Sequence, residues 1–264
     1  MNVTRRELGL KLACVMAGVR GLVGQPNRAP DDRRLLGRKS LPSFLRRPSE
    51  QLGGRLSKEG QELITQSGQI EVAGSNFPIT AFRQLPNLLK VDVGGGRGRV
   101  LAFDGVNGKS SAVAEDLDEE IVESLTEDTL EGLLAEVSDG AEPRLLGLGF
   151  RPDPRKFPTY TGPSYDIVEL THTAKSRGSK GAQTRRYYFD SATGLLLRTY
   201  YGRTEQGRLV MHETRFEVWT LVQGNQIPLR VERLADGRRR FLLTTSSVAV
   251  GTALADTGFS DARR

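Results

Sequence analysis

The sequence predicts a mainly-β protein of the α+β class, in which an antiparallel sheet is covered by a few helices. From Tyr165 onward, apolar and polar residues alternate in strand-length runs joined by short turns, which is typical of an antiparallel meander. A second set of alternating runs lies between residues 67 and 104. Between the two sets, residues 115–137 change to helical spacing. Strands grouped apart from helices indicate the α+β class.

The first set of runs predicts a strand followed by a hairpin. Ile70 and Val72 alternate with polar neighbours, as in a strand that buries one face. The run LLKVDV (88–93) alternates in the same way, and a glycine-rich connection joins it to the run 100–104. Two such runs joined by a short glycine loop are typical of a β-hairpin.

The central insert, at about residues 115–137, predicts one or two helices that lie on the sheet. Asp139-Gly140 and Pro143 close the segment. The acidic residues of the insert are expected to face solvent, and an acidic interaction surface is the alternative. The apolar residues that share one helical face are Leu117, Ile121, Leu125, Leu130, Leu133 and Leu134.

The C-terminal meander is predicted to have one long, curved apolar face. In the run 208–222, Glu213 and Glu217 share one face, so the opposite face with Phe216 is expected to be buried. Either the insert covers this face fully, or a groove remains for a ligand. The residues expected to line it are Leu101, Phe103, Tyr187, Phe189, Leu195, Leu197, Phe216, Val218, Leu229 and Val231. The alternative is that they pack as an ordinary core.

Residues 1–24 are predicted to be an export signal. A charged start precedes a short apolar run, and Arg5 and Arg6, followed by Lys11, resemble a twin-arginine signal. Arg20 interrupts the apolar run, so a plain basic tail on a cytoplasmic protein is the alternative.

The basic charge of the chain is concentrated near its N-terminus. The net charge is +6, but residues 1–58 carry 13 basic and 4 acidic residues, which leaves 25 basic and 28 acidic residues elsewhere. The rest is close to neutral, so no nucleic-acid partner is expected. Residues 25–58 are predicted to be a flexible basic linker, with or without a short helix, that makes at most peripheral membrane contact. Residues 59–264 are predicted to form a single domain.

The motifs that suggest chemistry fail on spacing. The stretch GVNGKSS (105–111) resembles a phosphate loop, but Phe103 stands where that loop needs glycine. The sequence has no G-x-S-x-G elbow, and Cys14, its one cysteine, lies in the predicted signal. His172 and His212 lack metal-site spacing, so structural roles are expected for both. We therefore expect a non-enzymatic protein without a cofactor or metal; a hydrolase or isomerase using either histidine is the enzymatic alternative.

Three short signatures carry a family resemblance: Phe103-Asp104-Gly105, the turn from Tyr188 to Leu195, and Gly224 followed by Ile227-Pro228. Over roughly residues 62–260 the chain resembles the periplasmic lipoprotein-carrier (LolA/LolB-like) superfamily, most closely its divergent bacterial members. The resemblance implies an eleven-stranded antiparallel half-barrel closed on one side by helices. It also implies an apolar cavity that accepts acyl chains of lipids or lipoproteins. The arginine with which carriers latch that cavity is not assignable from the sequence.

Together with this resemblance, the patterns above lead us to expect an exported, periplasmic binding protein. It would hold a lipid or lipoprotein acyl chain by apolar burial and release it when the helical segment moves. The alternative is a structural or interaction module of a cell-envelope assembly, with an envelope protein as partner and a core filled by its own side chains.

Overall fold

The sheet of this protein is antiparallel and contains twelve strands among the described residues. The computed structural model describes residues 42–52, 62–84, 88–94, 99–104, 108–110, 116–151, 162–172 and 183–252. The strand order is β5-β4-β3-β2-β1-β12-β11-β10-β9-β8-β7-β6. The strands are β1 (Glu62–Val72), β2 (Ser75–Gln84), β3 (Leu88–Val93), β4 (Arg99–Asp104), β5 (Gly108–Ser110), β6 (Arg144–Phe150), β7 (Tyr165–His172), β8 (Gln183–Asp190), β9 (Leu196–Glu205), β10 (Arg208–Val222), β11 (Asn225–Ala235) and β12 (Arg238–Thr252).

The sheet is an open half-barrel, because β5 and β6 form its two edges and do not pair with each other. Pairing of β1 with β12 joins the N-terminal strands to the C-terminal meander. The predicted fold class, mainly β with an antiparallel half-barrel and a few covering helices, is confirmed. The sheet has twelve strands where the resemblance implied eleven.

Three helices lie in the described part of the chain: α1 (Ser43–Glu50), α2 (Asp116–Leu125) and α3 (Leu130–Ser138). We call residues 116–138, which hold α2, α3 and the turn between them, the helical cover. Thr129 caps α3 by accepting a hydrogen bond from the Gly132 amide at 3.1 Å. None of the three helices is long and apolar enough to cross a membrane.

The core lies between the helical cover and the concave face of the sheet. Leucines of the cover, such as Leu133 and Leu134, are fully buried against strands from both halves of the sheet. Because a sheet with one apolar face must bury it under a second layer, the cover is what completes this core.

Helix α1 also belongs to this core. Leu45 is 0% and Leu52 3% exposed, and both pack in the same apolar cluster. The Arg47 guanidinium donates to the Ser191 carbonyl at 2.6 Å, and the Gln226 amide donates to the Gln51 carbonyl at 3.0 Å. This part of the predicted flexible linker is therefore packed structure, and the predicted domain start at residue 59 leaves it out.

The turn between β8 and β9 has the geometry that its sequence predicts. The Asp190 carboxylate accepts hydrogen bonds from the Ala192 and Thr193 amides at 2.7 and 2.8 Å. Gly194 has a φ of +79°, which glycine adopts without strain. If position 194 carried a side chain, its Cβ would lie 3.2 Å from the Arg47 backbone. Glycine therefore allows α1 to pack closely against this turn.

Candidate functional site

The structure brings half of the predicted lining residues together in one buried apolar cluster. Leu101, Tyr187, Phe189, Phe216 and Val231 are each at most 2% exposed and come from four strands. Leucines of the helical cover belong to the same cluster. The concave face is thus apolar, as its alternation predicts, and it is covered in this structure.

Of three other predicted lining residues, two are less deeply placed. Leu195 and Leu229 are half-buried, and Leu195 lines a cleft described below. Phe103 lies in β4, opposite Leu89 of β3, and its side chain is outside the described residues.

The two remaining predicted lining residues do not occupy the expected positions. The β8–β9 register skips Leu197, and Leu196 is the residue buried in the core, at 2% exposure. The β10–β11 register is the same before and after Val218, but Val218 has a φ of +54° and a side chain that is 60% exposed. Trp219 packs against the core instead. The prediction that Val218 faces the concave side is therefore wrong, because this backbone conformation interrupts the strand alternation on which the prediction rests.

A buried charge cluster, which the sequence reasoning missed, joins the helical cover to the sheet. The Asp128 carboxylate accepts from Arg233 Nη1 at 2.7 Å and from Thr214 Oγ1 at 2.5 Å. Arg185 Nη2 lies 2.6 Å from Glu127 Oε2. Arg185, Arg233 and Asp128 have side chains that are 0% exposed. The cluster consists of Glu123, Glu127, Asp128, Arg185, Tyr201, His212, Thr214 and Arg233.

The two signs of charge in the cluster come from different layers. Its carboxylates lie on the helical cover, whereas its guanidinium groups lie on strands β8 and β11. Asp118, Glu120 and Asp128 of the cover are at most 5% exposed. The expectation that the acidic residues of the insert face solvent is therefore wrong for these residues. The counterpart of Glu120 and Asp128 is the sheet of the same chain, through Arg240 and Arg233.

The electrostatics of the cluster keep the Glu123 carboxylate charged and the Tyr201 phenol neutral. Burial alone would raise the pKa of Glu123, but Arg185, Arg203 and Arg233 lower it below its ordinary value. Burial, followed by the charges of Glu123 and Asp128, raises the pKa of Tyr201. The Tyr201 hydroxyl therefore donates to Glu123 Oε2 at 2.7 Å and accepts from Arg233.

His212 is a buried, neutral member of the cluster. Its Nε2 lies 2.8 Å from Glu205 Oε1, and its Nδ1 lies 3.2 Å from Arg233 Nη2. Because arginine can only donate, Nδ1 accepts and the Nε2–H donates to Glu205. Burial, reinforced by Arg233, lowers the pKa of His212. Within the described residues no group of three or more His, Cys, Asp or Glu is placed to hold a metal. The His172 side chain lies outside those residues.

We expect the protein to lose stability as the pH falls below about 6.5, the ordinary pKa of histidine. Since folding lowers the pKa of His212, the unfolded chain binds more protons than the folded chain in this range. Stability present above pH 6.5 is then lost as the pH falls toward the folded pKa. The lowered pKa of Glu123 adds a further loss below its ordinary value of 4.5. Urea unfolding at a series of pH values measures both steps.

The matched variant for this pH dependence is His212→Gln, which retains an N–H donor and does not titrate. Its free energy of unfolding should change less than that of the wild type between about pH 6.5 and 5.5. Equal slopes in the two proteins over this range would contradict the role given to His212.

An apolar cleft lies where α1, α3 and the strands β10 and β11 meet. The volume open to the centre of a water molecule is about 20 Å³, which is room for one or two waters. In this structure the cleft is therefore nearly closed. Its lining residues are Gln51, Leu52, Arg83, Thr129, Leu130, Glu131, Leu195, Leu196, Phe216, Trp219, Gln226 and Pro228.

Comparison with known proteins identifies the fold. No family model and no curated protein matches the sequence. Among solved structures, a LolA superfamily protein from Nitrosomonas europaea matches with a TM-score of 0.52 and 14% identity, covering 82% of this chain and 96% of its own. The chain has the LolA-like fold. A DUF1329 family protein from Desulfovibrio piger matches with a TM-score of 0.51 and 11% identity, covering 83% and 95% of the two chains.

The sequence pattern of this LolA-like fold indicates that two of its arginines are buried. Arg185 stands two residues before Tyr187, and Arg233 two residues after Val231, so strand alternation places both arginines on the concave face. Alternation does not show which acids neutralise them, because those acids lie 57 to 110 positions away along the chain.

Proposed function

We propose that this protein binds an acyl chain of a lipid or lipoprotein between the concave face of its sheet and the helical cover, without catalysing a reaction. The observation that carries the proposal is the continuous apolar concave face beneath a separate two-helix layer. Each buried methylene contributes about 0.8 kcal/mol, so such a face needs no further chemistry to hold an acyl chain. The proposed lining residues are Leu101, Phe103, Tyr187, Phe189, Leu195, Leu196, Phe216, Leu229 and Val231.

Binding in this proposal requires the helical cover to lift. The cleft as it stands has room for water molecules only. The contacts that hold the cover include ion pairs and hydrogen bonds to Arg185 and Arg233, which can break and reform without covalent chemistry. We assign to these two residues the latching role that the LolA-like resemblance implies for an arginine.

The same proposal places the protein outside the cytoplasm. The support is the resemblance of residues 1–24 to a twin-arginine signal and the LolA-like fold. Export of a reporter fused to residues 1–40 should be lost when Arg5 and Arg6 are both replaced by lysine. Unchanged export would remove this part of the proposal.

A disulfide that locks the helical cover to the sheet tests the proposed function. Ser124 Oγ of α2 and Thr214 Oγ1 of β10 lie 3.2 Å apart, and both residues are 0% exposed. In a Cys14→Ser background, Ser124→Cys with Thr214→Cys should crosslink on oxidation and abolish uptake of a fluorescent fatty acid. Reduction should restore uptake, because it frees the cover.

A second disulfide that leaves the helical cover free is the matched control. Ser67 and Thr80 are cross-strand partners in β1 and β2, with hydroxyl oxygens 3.3 Å apart. Oxidised Ser67→Cys with Thr80→Cys should take up the probe like the wild type. If the Ser124→Cys, Thr214→Cys protein took up the probe equally when oxidised and when reduced, binding would not use the covered face.

The second candidate function is a structural or interaction module whose core is filled by its own side chains. The observation that favours it is the nearly closed cleft. Under this hypothesis, protein purified from its native host carries no lipid by mass spectrometry and takes up no fatty-acid probe, whether locked or not. Co-purified lipid would exclude it.

A further inference from the structure

Trp219, the one tryptophan of the chain, lines the cleft and directly follows a residue with strained backbone. Val218 has a φ of +54°, a conformation that β-branched residues rarely adopt. The β10–β11 register is unchanged across it, from Glu217–Arg230 to Trp219–Pro228. Strained backbone of this kind persists where the surrounding structure holds it, often at ligand sites. The strain at Val218 is therefore a feature to be explained by where it places Trp219.

The indole of Trp219 ends in a buried donor that the described protein groups do not satisfy. Its Nε1 has no hydrogen-bond partner among the described residues, although it is shielded from solvent. The ring packs on Phe216 with ring centroids 6.4 Å apart. Leaving a buried donor unpaired is costly, and tryptophan indoles usually find an acceptor when buried. The geometry thus presents one neutral donor in an apolar site.

The cleft contains one positive and one negative side chain, which are paired with each other. This pairing limits which hydrogen-bond acceptor can bind beside Trp219. Arg83 Nη1 lies 3.8 Å from Glu131 Oε1, and both side chains are at most 15% exposed. Because Arg83 is already paired with Glu131, a carboxylate in the cleft would be buried without a cation of its own, which is unfavourable. A neutral carbonyl oxygen carries no such penalty and accepts a hydrogen bond from an indole N–H.

We propose that Trp219 Nε1 donates a hydrogen bond to the carbonyl oxygen of an acyl ester, and that the cleft thereby selects esterified acyl chains over free fatty acids. This inference rests on the proposed function, to which it adds a ligand class and a specificity-determining residue. The ester group lies at Trp219, and its chain extends under the helical cover.

Isothermal titration of the full chain with methyl decanoate and with decanoic acid tests the selectivity. The wild type should bind the ester more tightly than the acid. Trp219→Phe keeps an aromatic ring but loses the donor, so it should weaken ester binding about fivefold, as loss of one hydrogen bond does. Its affinity for the acid should change by less than about twofold. Phe216→Leu, which removes apolar contact only, should weaken both ligands alike.

The emission of Trp219 gives a second readout that needs no variant, since no other tryptophan contributes. A bromine quenches indole emission at short range, so methyl 2-bromodecanoate should quench the wild type more strongly than methyl 10-bromodecanoate. The reverse order would place the ester away from Trp219 and overturn the inference.

The remaining outcomes separate this inference from the proposed function. If both ligands bind and Trp219→Phe weakens them equally or leaves them unchanged, ester selection is wrong while acyl binding stands. If neither ligand binds the wild type and neither brominated ester quenches it, both proposals fail, and water is the partner of the indole.

Discussion

Replacing Arg233 by methionine is expected to lower the free energy of unfolding by about 3–5 kcal/mol. The guanidinium of Arg233 lies between Asp128 and Glu123, 2.7 and 3.1 Å from their carboxylates, and its side chain is 0% exposed. Methionine has a similar length but no charge, so it leaves two buried carboxylates without this partner. Urea unfolding at pH 7.5 measures the loss.

The matched control is Arg230→Met, three residues earlier in the same strand. Arg230 forms an ion pair with Glu217 at 3.3 Å, and the Arg230 side chain is 39% exposed. Exposed pairs contribute about 0–1 kcal/mol, so this variant should unfold nearly like the wild type. Similar losses in the two variants would mean that burial of Arg233 does not determine its contribution.

Replacing Leu45 by alanine is expected to cost about 2–5 kcal/mol of stability. Leu45 lies in α1, is 0% exposed and packs in the central apolar cluster. Alanine would remove buried methyl groups and leave a cavity between α1 and the sheet. Thermal and urea unfolding of the variant measure the loss.

Leu209→Ala is the control for this second prediction, because Leu209 is the same residue type and is 61% exposed. It should change stability by less than about 0.5 kcal/mol. If Leu45→Ala matched this small change, α1 would not belong to the cooperative core. The domain would then begin at residue 59, as the sequence predicts.

The strands and their antiparallel meander were predictable because alternation and turns are local signals. β10 shows Glu213 and Glu217 on the face opposite Phe216, and the structure buries Phe216 at 2% exposure. The turn at Asp190 was readable from side-chain chemistry alone, since its carboxylate binds amides two and three residues ahead.

The two breaks in strand alternation were not predictable, and they decide which side chains enter the site. Val218 and Leu197 are ordinary strand residues in sequence, with no glycine to mark a break in alternation. The bulge at Leu197 depends on the register of the neighbouring strand, and the positive φ of Val218 depends on the structure that surrounds it. Both lie outside the local sequence, and for this reason Trp219 and Leu196 were missed.

By itself, the sequence determined the strand-rich antiparallel class, the position of the helical cover and the apolar nature of one sheet face. All three follow from periodicity within a few consecutive residues. Tertiary structure alone decided that Asp128 lies between Arg185 and Arg233, and that α1 joins the core. These outcomes depend on partners far apart in the chain. Whether an acidic residue lies in solvent or in the interior depends on whether a cation pairs with it in the folded protein.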